Sequence, residues 1–280
     1  MSPSTNPRGG DLDRLLEAAR RGEARSLEDL AAAAHFSRFH LSRLLKKHLG
    51  FPLRDFIAAA KVDRSIEGLV AGHTVTRSQT DAGHDSPSSF HRAFRRHTGV
   101  APSRYRSEMR ALAAHVMRHQ DVRRPTIVLH RDFEPEPHAQ PHPLNLRVAG
   151  ARPGSALFAA LHPDPLVKGS PVLGIAMFGT CEHSVSAIPD GDYYPMVVEV
   201  PRSGDVRGYF HMGGNRRQLL REPVSFPLDA PAEVTLELRG AVPSDPPITL
   251  NLPKLLVDAA AGNLDIEVGN PGQAPAGTGE

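Results

Sequence analysis

The chain spells one helix plan twice. Ser37-Arg-Phe-His-Leu-Ser-Arg-Leu-Leu-Lys-Lys-His-Leu-Gly50 and Ser86-Pro-Ser-Ser-Phe-His-Arg-Ala-Phe-Arg-Arg-His-Thr-Gly99 start 49 positions apart. Each opens on a serine suited to cap a helix N-terminus, and each stops at a glycine. Pro87 stands at a first helical position, where its missing N–H costs nothing. Leu41, Leu44 and Leu45 in the first copy match Phe90, Ala93 and Phe94 in the second as the inner face, and Phe39 is expected inside as well. Arg43 matches Arg92, and the pair Lys46-Lys47 matches Arg95-Arg96.

Each basic helix follows a shorter one and a tight turn. Ser26-Leu27-Glu28-Asp29 caps the first short helix, whose run Ala31 to Ala34 has high helix propensity and admits a close crossing. Thr74-Val75-Thr76-Arg77 opens its counterpart, and Ala82-Gly83-His84 makes the turn. Leu12, Leu15, Leu16 and Ala19 mark an earlier amphipathic helix, and Pro52 starts a long one through Phe56, Ile66 and Leu69. A short helix, a turn and a basic helix make the helix-turn-helix arrangement. Charge follows the same division. Residues 1–124 hold 22 Lys and Arg against 13 Asp and Glu, a balance of +9, whereas residues 125–280 hold 11 against 18, a balance of −7. Only 5 of the 26 prolines precede residue 125. The net charge of +2 is therefore the sum of a basic helical half and an acidic half of another class.

Two such copies joined by one long helix resemble the DNA-binding domain of AraC/XylS-family transcription regulators, over residues 11–108. The resemblance is carried by Ser26-Leu-Glu-Asp-Leu-Ala-Ala-Ala-Ala34, by the first basic helix with Gly50-Phe51-Pro52, and by Ser88 through Tyr105. It implies that the two basic helices enter successive major grooves of double-stranded DNA. It makes Arg38, His40, Ser42 and Arg43, and their counterparts Ser88, Ser89, His91 and Arg92, candidates for reading base edges. Lys46, Lys47, Arg95 and Arg96, with the caps Ser37 and Ser86, are candidates for phosphate contacts. Two departures stand out. The family usually carries apolar residues at Ser78, Gln79 and His84, so the second copy is expected to be less stable and to read DNA less strictly. Equal loss of discrimination from Arg43→Ala and Arg92→Ala would count against that. The family's reader also lies most often at the C-terminal end, whereas here it precedes the acidic half.

After a helical extension and a proline-rich linker over 109–143, the period changes toward two. Ile127-Val128-Leu129 reads as a short strand or as part of that linker. Leu144–Val148, Ala156–Leu161, Val172–Phe178, Tyr193–Val200, Val206–His211, Val234–Leu238 and Ile248–Leu252 are short β-like runs separated by turn residues. They argue for an all-β antiparallel sandwich or barrel over 144–255. Pro189-Asp190-Gly191-Asp192-Tyr193-Tyr194 is loosely similar to a turn and strand of prealbumin-like and carboxypeptidase-regulatory-like sandwiches. A rival is the α/β effector-binding domain of some AraC-like regulators, faintly similar around Val200-Pro201 and Tyr209–Gly213. The whole reads as multidomain α and β, with a disordered lead over 1–10 and a tail over 256–280. Cys181-Glu182-His183, with His211 available, lacks the ligand spacing of metal motifs and reads as a loop near a strand end. No catalytic residue, metal or cofactor is assigned. One cysteine, no apolar leader and no long apolar run lead to an expected cytoplasmic protein without membrane partners. The expected function is sequence-specific transcription regulation, with the β-half sensing a small-molecule or protein effector. The competing reading is a protein-interaction adaptor with a degenerate helical half. Because the acidic half repels phosphate, residues 1–124 alone are expected to bind random DNA more tightly at low salt.

Overall fold

The computed structural model describes residues 9–24, 26–121, 124–134 and 142–261. Seven helices come first: α1 (Gly9–Arg21), α2 (Leu27–Ala34), α3 (Arg38–Leu49), α4 (Leu53–Val70), α5 (Val75–Asp81), α6 (Pro87–Thr98) and α7 (Pro102–Gln120). Gly9 and Gly10 already belong to α1. The rest of the expected lead, the prolines Pro135, Pro137 and Pro141 of the linker, and tail residues 262–280 lie outside the described residues.

A β-rich half follows. Its strands are β1 (Thr126–Arg131), β2 (Leu144–Ala149), β3 (Ala156–His162), β4 (Leu173–Phe178), β5 (Glu182–Val185), β6 (Gly191–Val200), β7 (Arg217–Leu219), β8 (Val224–Phe226) and β9 (Ala232–Glu237), and α8 (Leu252–Ala261) comes last. One sheet runs β1-β4-β3-β6-β7, with β8 also on β6, and the other runs β5-β2-β9. All pairs are antiparallel except β2 with β9, which run parallel from Leu144↔Ala232 to Ala149↔Glu237. Backbone bonds between Arg217 and Arg239 join the sheets at one edge.

Of the two readings of Ile127–Leu129, the strand is the one observed, paired with β4 in the large sheet. Two expectations shift. Val206–Tyr209 is a 3-10 helix rather than a strand, because the Asp205 carboxylate accepts the Arg207 N–H and turns the chain. Ile248–Leu252 does not pair as a strand. Pro246 and Pro247 precede it, and the Asn251 side chain accepts the Lys254 N–H to open α8.

The large sheet is covered on both faces, which accounts for its nearly continuous apolar runs. Ile127, Leu129, Leu157, Ala159, Ile175 and Met177 face the small sheet. Their neighbours Val128, Phe158, Ala176, Phe178, Met196 and Val198 face the helices and form one core with Ile66, Phe90, Phe94, Tyr105, Met109 and Leu256. An aromatic chain crosses this boundary: Phe90–Phe94 at 5.5 Å, Phe94–Tyr105 at 5.3 Å and Tyr105–Phe210 at 5.7 Å between ring centres. The loop between β3 and β4 inserts between the helices. Leu166 enters the core of Leu16, Leu30, Leu41, Leu45 and Phe56, and Val167 enters the core of Phe90 and Phe94. Residues 1–124 alone would leave these faces bare.

Phe210 is 1% exposed at the end of the aromatic chain. Phe210→Ala is expected to cost about 3–5 kcal/mol. Urea unfolding followed by helical and by β circular dichroism should show one shared transition, shifted to lower urea.

Candidate nucleic-acid interface

Local chemistry fixes both basic helices at their starts and ends. Ser26 and Asp29 form a reciprocal cap at α2, each side chain accepting the other's N–H at 3.1 Å. His35 then turns with φ 55°, and Ser37 Oγ accepts the His40 N–H to start α3. In the second pair Thr74 Oγ1 accepts the Arg77 N–H, Gly83 turns with φ 76°, and Ser86 Oγ accepts the Ser89 N–H behind Pro87. Gly50 and Gly99 end α3 and α6 with φ of 86° and 75°.

The structure places Arg38, Arg43, Ser88, His91 and Arg92 on exposed surface, with His40, Ser42 and Ser89 half-buried. The hydroxyl of Ser89 donates to the Ser86 carbonyl at 2.9 Å and accepts from Ser86 Oγ, so it is committed to the cap of α6. The His40 ring lies 5.4 Å from Phe36. Ser37 is exposed and Ser86 half-buried. Lys46, Lys47, Arg95 and Arg96 are exposed, and no ion pair holds them, Arg43 or Arg92 among the described residues. Arg38 is 3.9 Å from Glu28 and 4.9 Å over the ring of Phe39.

Phe39 corrects the sequence reading: it is 74% exposed, not inside. The signal was present. Phe39, Ser42, Arg43 and Lys46 fall at i, i+3, i+4 and i+7, which is one stripe, opposite the buried Leu41, Leu45 and Leu49. An aromatic ring thus stands among the polar and basic candidates on the outer face of α3.

The polar residues of the second pair are packed rather than missing. Ser78 is 1% exposed and faces Gly68, where an added Cβ would lie 2.9 Å from Ser78 Oγ. Small residues here let α5 approach α4 closely. Gln79 is also buried, and the His84 ring sits 4.8 Å from Phe90. The back of α6 rests on the β-half, where His97 Nδ1 bonds Thr249 Oγ1 at 3.1 Å and Thr249 reaches the Val167 carbonyl. The C-terminal end of α3 rests there too, since Arg221 donates to the His48 carbonyl. Cys181 is exposed, and Glu182–Val185 is strand β5 rather than a loop, with His183 opposite Leu146.

Residues 30–108 match a protein family described as a helix-turn-helix domain. The match spans both helix pairs, on the stretch that carries the AraC-type resemblance. The chain is also similar to the HTH-type transcriptional activator AarP of Providencia stuartii, at 29% identity over 85 residues. Those residues are 29% of this chain and 61% of that relative, so the chain spans about three-fifths of its length. A solved structure of a Listeria innocua protein of unknown function aligns at 26% identity with a TM-score of 0.32, covering 36% of this chain and 97% of that one. No described helix is long and apolar enough to cross a membrane.

Burial behind α6 has a consequence for pH. Desolvation, aided by Arg96 and Lys168, lowers the His97 imidazole from 6.5 to about 4. Burial lowers His84 and His162 to about 4 as well. Between those values the unfolded chain binds protons that the folded chain does not. This stability is complete above pH 6.5 and is lost as the pH falls toward 4. His97→Gln, which keeps a partner for Thr249, should recover about 2–3 kcal/mol of the difference between pH 7 and pH 4.5 in urea unfolding.

Proposed function

We propose that this protein is a sequence-specific, double-stranded-DNA-binding regulator of transcription that reads two successive major grooves with α3 and α6. The observation that carries this reading is the repeated arrangement itself. Two capped, basic helices each follow a short helix and a turn, and each presents an arginine (Arg43 or Arg92) and an unpaired basic pair to solvent. The helix-turn-helix match and the similarity to a transcriptional activator support it.

In this reading Arg43 and Arg92 bridge guanine O6 and N7, with Arg38, His40, Ser42, Ser88 and His91 as further base readers. Phe39 adds apolar contact suited to a thymine methyl. Lys46, Lys47, Arg95 and Arg96 hold phosphates, and the N-termini capped by Ser37 and Ser86 add their helix dipoles. The reader spans α1 to α7, and the β-rich module from β1 to α8 braces it and supplies a surface for an effector. The adaptor alternative rests on the polar Ser78, Gln79 and His84, and tight DNA binding by the full chain would defeat it.

The test uses the full chain. Genomic fragments selected by binding should share a two-block sequence and be preferred over random duplex. Affinity should fall with salt at a log–log slope of about −4 if four basic side chains each neutralise a phosphate. Lys46→Ala and Arg95→Ala should each reduce that slope by about one and leave discrimination intact. Arg43→Ala should cost about 1–3 kcal/mol against the preferred site and relax one base position. No preference for any selected fragment over random duplex would sink the proposal.

A further inference from the structure

Away from the outer faces of α3 and α6, a cleft of about 520 Å3 opens between α1, α4 and two loops of the β-half, at His211–Gly213 and Ala241–Pro243. Three arginines and three acids line it, and the arginines are already committed. Arg64 donates to the carbonyls of Ala19, Arg20 and Ala82. Arg20 donates to those of Pro243 and Asp245, and Arg21 is paired with Glu17.

The carboxylates of α4 are different. Asp63 is only 8% exposed, yet no hydrogen bond or close ion pair reaches its side chain among the described residues. Glu67 stands one turn further along the same face, exposed and likewise unpaired among the described residues. The carboxyl oxygens of Asp63 are not fully enclosed: they open on the cleft, where a ligand can reach them. Burial favours the neutral form of Asp63, against the pull of His211, Arg20 and Arg217 at longer range.

We infer that this cleft binds a small organic cation, an ammonium or guanidinium compound, through the carboxylates of Asp63 and Glu67. The unspent groups on α4 are acceptors, which favours a donor-rich ligand over an anion. Two carboxylates about 6 Å apart at their Cβ atoms suit two N–H donors of one molecule. A metal ion fits less well, since the described residues offer no cluster of three or more His, Cys, Asp or Glu side chains for one. The inference does not depend on the DNA reading.

Calorimetric titration and thermal unfolding of the full chain test it, with 1,4-diaminobutane and methylguanidine as probes. Sodium chloride at matched ionic strength, 1,4-butanediol and succinate are the controls. At least one cationic probe should bind saturably and raise the Tm, while the uncharged diol and succinate do neither. Asp63→Asn and Glu67→Gln should each weaken binding tenfold or more. Asp63→Asn matches the neutral carboxyl in shape, so it should fold, and its Tm without ligand is the check. Failure of both cations to bind, unchanged affinity in both variants, or binding of succinate alone would each overturn the inference.

Discussion

The architecture depends on a sheet that is buried on both faces. Alternate residues of β1, β3, β4 and β6 pack against the small sheet, and those between them pack against α4, α6, α7 and α8. Burying apolar surface on both sides contributes more per strand than a half-solvated sheet can. Helices and sheet consequently share one core. The aromatic chain Phe90–Phe94–Tyr105–Phe210 is its spine, and Tyr105 within it is fully buried. At the far end of α7 the Tyr209 hydroxyl lies within hydrogen-bonding distance of both Gln120 Oε1 and the Ser203 carbonyl, tying the helix to the loop after β6.

Polar groups reinforce the same seam. Arg217 is 1% exposed and donates to the carbonyls of Met212, Gly213 and Asn215. Arg239 forms a two-pronged pair with Asp245 at 2.7 and 2.8 Å. Asp245 in turn offers its carbonyl to Arg20 of α1. Breaking one member of such a buried set leaves the others unpaired, which is why these contacts fix position more than they add net stability. The acidic half is therefore an integral support of the basic half, not a counter-charge on a tether.

Much of this was legible in the residues. Serine and threonine caps, Pro87 and the stop glycines located α2, α3, α5 and α6, because these signals act within a few residues. The strands β2, β3, β4, β6 and β9 stood out through alternation or continuous apolar runs. What was illegible depends on distant partners. The strands β5, β7 and β8 are only three or four residues long, β5 and β7 largely polar, so pairing creates them. Ile248–Leu252 has a strand's composition but is buried by helices rather than by a neighbouring strand. At the candidate interface the charged faces followed from helical period. Phe39 falls on the exposed stripe by the same period, against the usual burial of aromatic side chains. The packing of Ser78 against Gly68 needed a partner ten residues away on another helix.

Leu166 and Val167 are consecutive residues whose side chains enter different helical cores. They therefore act as a caliper between the helix pairs. On the proposed function, the number of base pairs separating the two recognised blocks depends on this β-loop together with α4, which also enters both cores, whereas the identity of the bases belongs to α3 and α6. Spacing and spelling can then change independently in evolution: one through a short loop in the acidic half, the other through a handful of exposed side chains in the basic half.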